Sequence, residues 1–139
     1  MKIEDILYRG RHLCGQWYFG NAIVRETDSP VPETTQVYRS VMIGDKEDGS
    51  AEEVEEETVC MYSGLCDAKE VKVFDGDIIE YLCANGLTAR CVVIYENGCF
   101  CVEECGRITP ARILLSSFLN NYAYNKVVGN KFDNPEMLK

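Results

Sequence analysis

Eight cysteines in 139 residues, beside a single histidine, are the side chains of this sequence best suited to chemistry, as metal ligands or as nucleophiles. Cys99, Cys101 and Cys105 share parity, so on one strand they would point to the same face. Strand residues two apart lie roughly 7 Å from each other. Tetrahedral zinc, at about 2.3 Å per sulfur, needs its thiolates roughly 4 Å apart. One strand cannot close such a site, and no C-x-x-C knuckle occurs. Convergence of Cys60, Cys66, Cys83 and a hairpin cysteine from different strands stays open. The reading adopted is that the cysteines are small buried hydrophobes in a reducing compartment, with no metal and no cofactor expected.

Other reactive groupings are as sparse. Nucleophilic thiol catalysis needs an imidazole beside the thiol, and the one histidine, His12, falls in a turn. Asp75 and Asp77 flank Gly76 in a tight turn, where capping of their own backbone accounts for them. Glu103 and Glu104 are adjacent, and eight further acids lie in one block without an apolar wall to separate two pKa values. Neither G-x-x-x-x-G-K nor G-x-G-x-x-G is present to cradle a phosphate. No catalytic residue is assigned, and the chain is expected not to be an enzyme.

The elements that would position any site are mostly strands. Asn97-Gly98 accepts positive φ at little cost, and Thr88–Glu96 and Cys99–Val102 flank it with strand-forming residues, the strongest short-range hairpin signal. A two-residue loop sets Tyr95 opposite Phe100 and Ile94 opposite Cys101. Cys91, Val93, Tyr95, Phe100 and Val102 then share one face, and Val92, Ile94, Cys99 and Cys101 the other. Both faces are apolar, so the outer one needs a cover: N-terminal strands, a helix or a second subunit. Asp77-Ile78-Ile79 begins a preceding strand. Leu7–Gly10 and Gln16–Val24 read as two strands around a Cys14-Gly15 turn, and Gln36–Ile43 as a third after Pro30-Val31-Pro32. Thr109-Pro110 offers an N-cap and a first-turn proline, and Ala111, Leu114, Leu115, Phe118, Leu119 and Tyr122 form one helical stripe. A short strand through Lys126-Val127-Val128 should stop at Gly129-Asn130.

Composition bounds the partners. With 46% hydrophobic and 27% charged residues the chain reads as an ordinary globular protein, and no apolar run approaches the roughly 18 residues that span a membrane. The first residues, Met1–Leu7, carry acids where an export signal needs bases, which gives the expectation of a cytoplasmic protein. Eight acids against one base between Asp45 and Glu57 supply seven of the nine net negative charges, and this stretch is expected to be a mobile loop.

Four islands in one order carry a resemblance. They are Tyr8-Arg9-Gly10 with Trp17-Tyr18-Phe19-Gly20; Glu57-Thr58-Val59 with Tyr62-Ser63-Gly64-Leu65 and Asp67; Phe74-Asp75-Gly76-Asp77-Ile78-Ile79; and Val128-Gly129-Asn130 through Asn134-Pro135-Glu136-Met137-Leu138. On these the chain resembles the YopX family of phage and prophage proteins. It departs from the family at Cys60-Met61 and at Lys69-Glu70, where an asparagine-glycine turn is usual, and neither Lys69 nor Glu70 adopts positive φ cheaply. The resemblance implies an SH3-type small barrel in the C-terminal half with the N-terminal strands packed on it. The expected fold is therefore mainly β with one helix, in a single domain over 1–139. Its parts would be an N-terminal β segment (1–44), the acidic loop (45–57) and a barrel portion (58–139) with a helix at about 110–121. Arg9, Gly10, Trp17, Gly20, Thr58, Gly64, Leu65, Gly76, Asp77, Asn97, Gly98, Gly129, Asn130 and Pro135 are the motif residues, read as structural.

No activity comes with that family, so function is read from chemistry. The leading expectation is a phage- or prophage-encoded binding or regulatory module that holds a protein partner in the host cytoplasm, with self-association compatible with its apolar surface. Nucleic-acid binding is the alternative. Scattered bases (Arg9, Arg11, Lys69, Lys72, Arg90, Arg107, Arg112) and a charge of −9 disfavour it. An acidic inhibitor of a host DNA-binding protein is a further alternative.

Overall fold

The computed structural model describes residues 2–28, 37–44, 49–106, 108 and 111–139. The protein is mainly β, with one α-helix, and divides into two compact units, Met1–Met61 and Tyr62–Lys139. All strand pairs are antiparallel.

In the first unit, β1 (Tyr8–Arg11), β2 (Trp17–Asp28), β3 (Val37–Gly44) and β4 (Ala51–Val54) pair in the order β4-β3-β2-β1. Arg9 of β1 also pairs with Cys60 at the start of β5 (Cys60–Cys66). Direct partners in an antiparallel ladder share a face. Val24, Val41 and Val54 are such a row, and Ala22 and Ile43 another. Val41, Ile43 and Val54 form this unit's core, with Tyr8, Tyr18, Ala22 and Val59 packed against it. The sheet curls until β1 meets the end of β4, where Glu55 N–H donates to Arg11 O at 2.8 Å. Gly10 sits under the Val54 side chain, and Gly20 lies against the Gly44 carbonyl. The Thr58 hydroxyl accepts from Arg11 N–H (2.9 Å) and donates to Glu55 O (2.6 Å), holding the turn Glu56–Thr58 to β1.

The acidic stretch expected as a mobile loop is thus ordered over its second half. Asp45–Asp48 lie outside the described residues, but Ala51–Val54 pairs with β3. Burial of Val54 against Val41 stabilises that pairing. Arg11 Nε stands 3.5 Å from Glu55 and an Arg39 guanidinium nitrogen 3.2 Å from Glu56, which relieves the like-charge repulsion.

In the second unit, Tyr62 and Cys66 of β5 pair with Phe74 and Lys72 of β6 (Lys72–Phe74). β7 (Asp77–Leu82), β8 (Thr88–Glu96), β9 (Cys99–Glu104), β10 (Arg112–Leu114) and β11 (Asn125–Asn130) make a five-stranded sheet in the order β10-β9-β8-β7-β11. The hairpin follows its expectation: Asn97 (φ 54°) and Gly98 (φ 77°) close it with Tyr95 opposite Phe100 and Ile94 opposite Cys101. Its Cys91, Val93 and Val102 are buried with Val73, Ile79 and Tyr81 beneath α1 (Leu115–Asn121), which contributes Leu115 and Phe118. Leu138, in the turn Pro135–Leu138, shares a cleft with Val92 on the other face.

Three expectations need correction. Among the described residues the sheet is open, with β10 and β11 at its edges, so the closed SH3-type barrel is not formed. The helix begins at Leu115 and not near 110, because Arg112–Leu114 pairs with β9 and the ladder overrides the local cap signal; Thr109 and Pro110 lie outside the described residues. Gly129-Asn130 does not stop the last strand: β11 continues to Asn130, with a register shift between Val127 and Gly129.

Candidate binding surface

On β1 and β2 the motif residues Arg9, Trp17 and Phe19 share one face, since Arg9 stands opposite Phe19 and Arg11 opposite Trp17, while Gly10 and Gly20 lie on the other. Arg9 is buried, and its guanidinium lies 4.8 Å from the centre of the Trp17 ring, a cation–π contact that fixes the indole over the sheet. Further along the same face of β2, Phe19 is 52% exposed and Ile23 37%, with Met42 of β3 opposite Ile23. A cleft of about 310 Å³ lined by Trp17, Tyr18, Phe19, Ile43, Ser50 and Glu52 adjoins them. Arginine and tryptophan make the floor here, and exposed apolar side chains the surface.

The motif residues of the second unit hold turns. Asp77, buried, accepts from Phe74 N–H at 2.8 Å beside Gly76, and Asp75 accepts from Tyr95 N–H at 3.2 Å. Asp77 thus caps its own turn as its spacing suggested, whereas Asp75 reaches the backbone of β8 instead. Gly64 is exposed next to Leu65, which packs against the core. Asn130 accepts from Phe132 and Asp133 N–H (3.0 and 2.9 Å), Asn134 accepts from Asn130 N–H (3.2 Å) against Gly129, and Pro135 opens the last turn.

Two buried polar residues, Asp67 and Asn125, tie this unit together. The Asp67 carboxylate accepts from Lys69 N–H (2.8 Å), Val71 N–H (2.9 Å) and Val127 N–H (2.9 Å). It thereby closes the turn in which Glu70 takes φ 64°, the strained position foreseen at Lys69-Glu70. Asn125 accepts from Ala68 N–H (2.9 Å) and donates to Tyr122 O (2.6 Å) and Leu119 O (3.4 Å), joining the same turn to the end of α1. Asp67 was visible only as part of a motif, and Asn125 gave no local signal.

The thiols are dispersed. Cys14, Cys66 and Cys99 are exposed, Cys60 and Cys91 buried. The Cys60 thiol donates to Thr58 O at 3.1 Å. Burial, with Cys105 and Glu104 nearby, pushes the Cys91 thiol up to about 12, and burial also raises Cys105 against the pull of Arg90. Both are held in the protonated, weakly nucleophilic form. Among the described residues no group of three or more His, Cys, Asp or Glu is placed to hold a metal ion. His12 accepts from Cys14 N–H at 3.0 Å in the β1–β2 turn. A second cleft, about 450 Å³, is lined by Glu103, Glu104, Cys105, Val92, Ile108 and Leu138, and Glu103 lies 3.6 Å from Arg112.

A known family model, that of the YopX protein, matches the chain over residues 17–139. The chain belongs to the YopX family. None of the curated proteins matches it. The YopX match spans both units, from Trp17 on β2 through the final turn. Among the described residues no helix is long and apolar enough to cross a membrane.

Proposed function

We propose that this YopX-family protein is a non-enzymatic binding or regulatory module, encoded by a phage or prophage and working in the host cytoplasm, that holds a protein partner on the β1–β2 face. The observation carrying this is the exposure of Phe19 and Ile23 on one sheet face, above the rigid Arg9–Trp17 floor. Apolar side chains grouped on a sheet face are characteristic of partner sites, and a fixed floor lowers the ordering cost of binding. Nucleic acid is the less favoured occupant, because Glu52, Glu53, Glu56 and Glu57 are exposed in the same unit and the chain carries −9.

The test compares the wild type with the double variant Phe19→Ser, Ile23→Ser, tagged and cross-linked in the bacterial host, with partners counted by mass spectrometry. A specific protein captured by the wild type and lost by a variant of unchanged melting temperature supports the reading. Equal capture by both, or tight binding of single-stranded or duplex DNA that weakens steeply with salt, overturns it.

A further inference from the structure

Three places in the second unit put an Asp or Asn directly before a glycine: Asp75-Gly76, Asn85-Gly86 and Asn97-Gly98. Without a Cβ, the glycine nitrogen meets the least hindrance in approaching the preceding side-chain carbonyl carbon, so each is a place where the main chain can attack its own side chain. The fold treats them differently. At Asp75-Gly76 the Gly76 N–H donates to Val93 O (2.9 Å) and the Asp75 carboxylate accepts from Tyr95 N–H (3.2 Å). At Asn85-Gly86 the Gly86 N–H donates to Cys83 O (3.0 Å) and the Asn85 side-chain oxygen accepts from Leu87 N–H (3.0 Å). In both, nucleophile and electrophile are tied to other partners.

Asn97-Gly98 is exposed at the tip of the β8–β9 hairpin, and among the described residues neither the Gly98 N–H nor the Asn97 carboxamide is hydrogen-bonded. We infer that Asn97 is a site of spontaneous deamidation in the folded protein, selected over Asn85 by this difference in hydrogen bonding. The Gly98 nitrogen loses its proton to solvent base and attacks Asn97 Cγ. The new N–Cγ bond forms as the Cγ–Nδ2 bond breaks and ammonia leaves, giving a cyclic imide. Water then opens the imide at either carbonyl, to aspartate or to isoaspartate, with no oxidant or reductant involved.

The site matters because the two-residue turn fixes the register of both strands. Isoaspartate inserts one extra methylene into that turn, where Asn97 and Gly98 must hold φ 54° and 77° to place Tyr95 opposite Phe100. Either product adds a negative charge next to Glu96, whose carboxylate lies 2.5 Å from Arg112 of β10.

The test incubates the purified full chain in mildly alkaline buffer, folded and in urea, and follows tryptic peptides 91–107 and 73–90 by mass spectrometry, with chromatography to separate isoaspartate. In the folded protein Asn97 should convert about thirty-fold faster than Asn85, the factor that two hydrogen bonds of ordinary net strength impose. In urea the two should react at similar rates. Conversion of Asn85 at an equal or greater rate in the folded protein overturns the inference, as does an inert Asn97 in folded protein whose urea-unfolded chain reacts.

Discussion

Replacing Asn125 with alanine removes a side chain only 3% exposed that serves three backbone groups at once. Ala68 N–H loses its 2.9 Å acceptor and keeps only the longer 3.3 Å bond to Asn125 O. Tyr122 O, at the end of α1, loses its 2.6 Å donor, and Leu119 O its weaker one at 3.4 Å. A buried polar group left without its partner costs about 1–3 kcal/mol, so two principal losses and one minor one come to about 2–4 kcal/mol. For a unit of this size each kcal/mol lowers the melting temperature by about 4–8 °C, which makes the loss large enough to resolve. The assay is thermal unfolding followed by near-ultraviolet circular dichroism of the Tyr81, Phe118 and Tyr122 cluster, whose rings lie 4.7–5.0 Å apart. Fluorescence of Trp17, the one tryptophan, reports the first unit separately. Asn125→Asp should be at least as damaging, since it keeps an acceptor for Ala68 but sets a carboxylate against the Tyr122 carbonyl. A drop below about 0.5 kcal/mol for both variants would show that solvent replaces these bonds without loss, and would refute the accounting.

Phe118→Ala, which empties the space between α1 and the sheet beside Tyr81, should cost about 3–5 kcal/mol, read from the urea midpoint. Val54→Ala should cost about 2 kcal/mol in the Trp17 transition, whereas no change would return the acidic stretch to a dispensable loop. Glu70→Gly should raise stability by about 0.5–1 kcal/mol by relieving a left-handed non-glycine residue, and a loss would mean the Glu70 side chain makes a contact of its own. Burial first, with neighbouring Glu104 and cysteines, pushes Tyr81 and Cys91 up to about 12 from ordinary values of 10.0 and 9.0. The folded state then keeps protons that the unfolded chain releases, so stability is full below about pH 9 and falls as pH rises towards 12. Urea titrations across that range should show the fall and Tyr81→Phe should lessen it; a level midpoint would remove the burial argument.

What was legible in the sequence was set by short-range backbone chemistry. Asn97-Gly98 admits essentially one turn, and that turn dictates register, so every pair of the hairpin followed from two residues. The apolar stripe of the helix was equally plain at Leu115 and Phe118. Its start was not, because pairing of Ile113 with Val102 and Leu114 with Cys101 outweighs an N-cap signal at Thr109-Pro110. The charge of Asp45–Glu57 concealed β4, since the decisive contact, Val54 on Val41, spans two strands and leaves no periodic mark in four residues. Closure of the second sheet is a property of its edges, which no local pattern encodes. Of the motif residues, Gly76-Asp77 and Asn97-Gly98 announced the turns they hold. The exposure of Phe19 and Ile23 was invisible, because an apolar strand residue reads as core until the sheet is known to leave that face open.

The two crowded glycines of the first sheet set different rules for how this sequence can vary. A methyl group at Gly10 would meet Val54 Cγ2 at 2.6 Å, Val54 Cβ at 2.9 Å and Ile43 Cγ1 at 3.1 Å, all of them side-chain atoms. Position 10 and position 54 are therefore coupled: Gly10→Ala is expected to be damaging alone and partly relieved by Val54→Ala, which removes the 2.6 Å contact and leaves the Cβ at 2.9 Å, a non-additive pair. At Gly20 the obstacle is the Gly44 carbonyl, part of the main chain and the same whatever residue occupies position 44. No partner substitution can make room there. Among chains that share this sheet, position 10 should drift together with position 54, while position 20 stays glycine for as long as β2 and β3 keep their register.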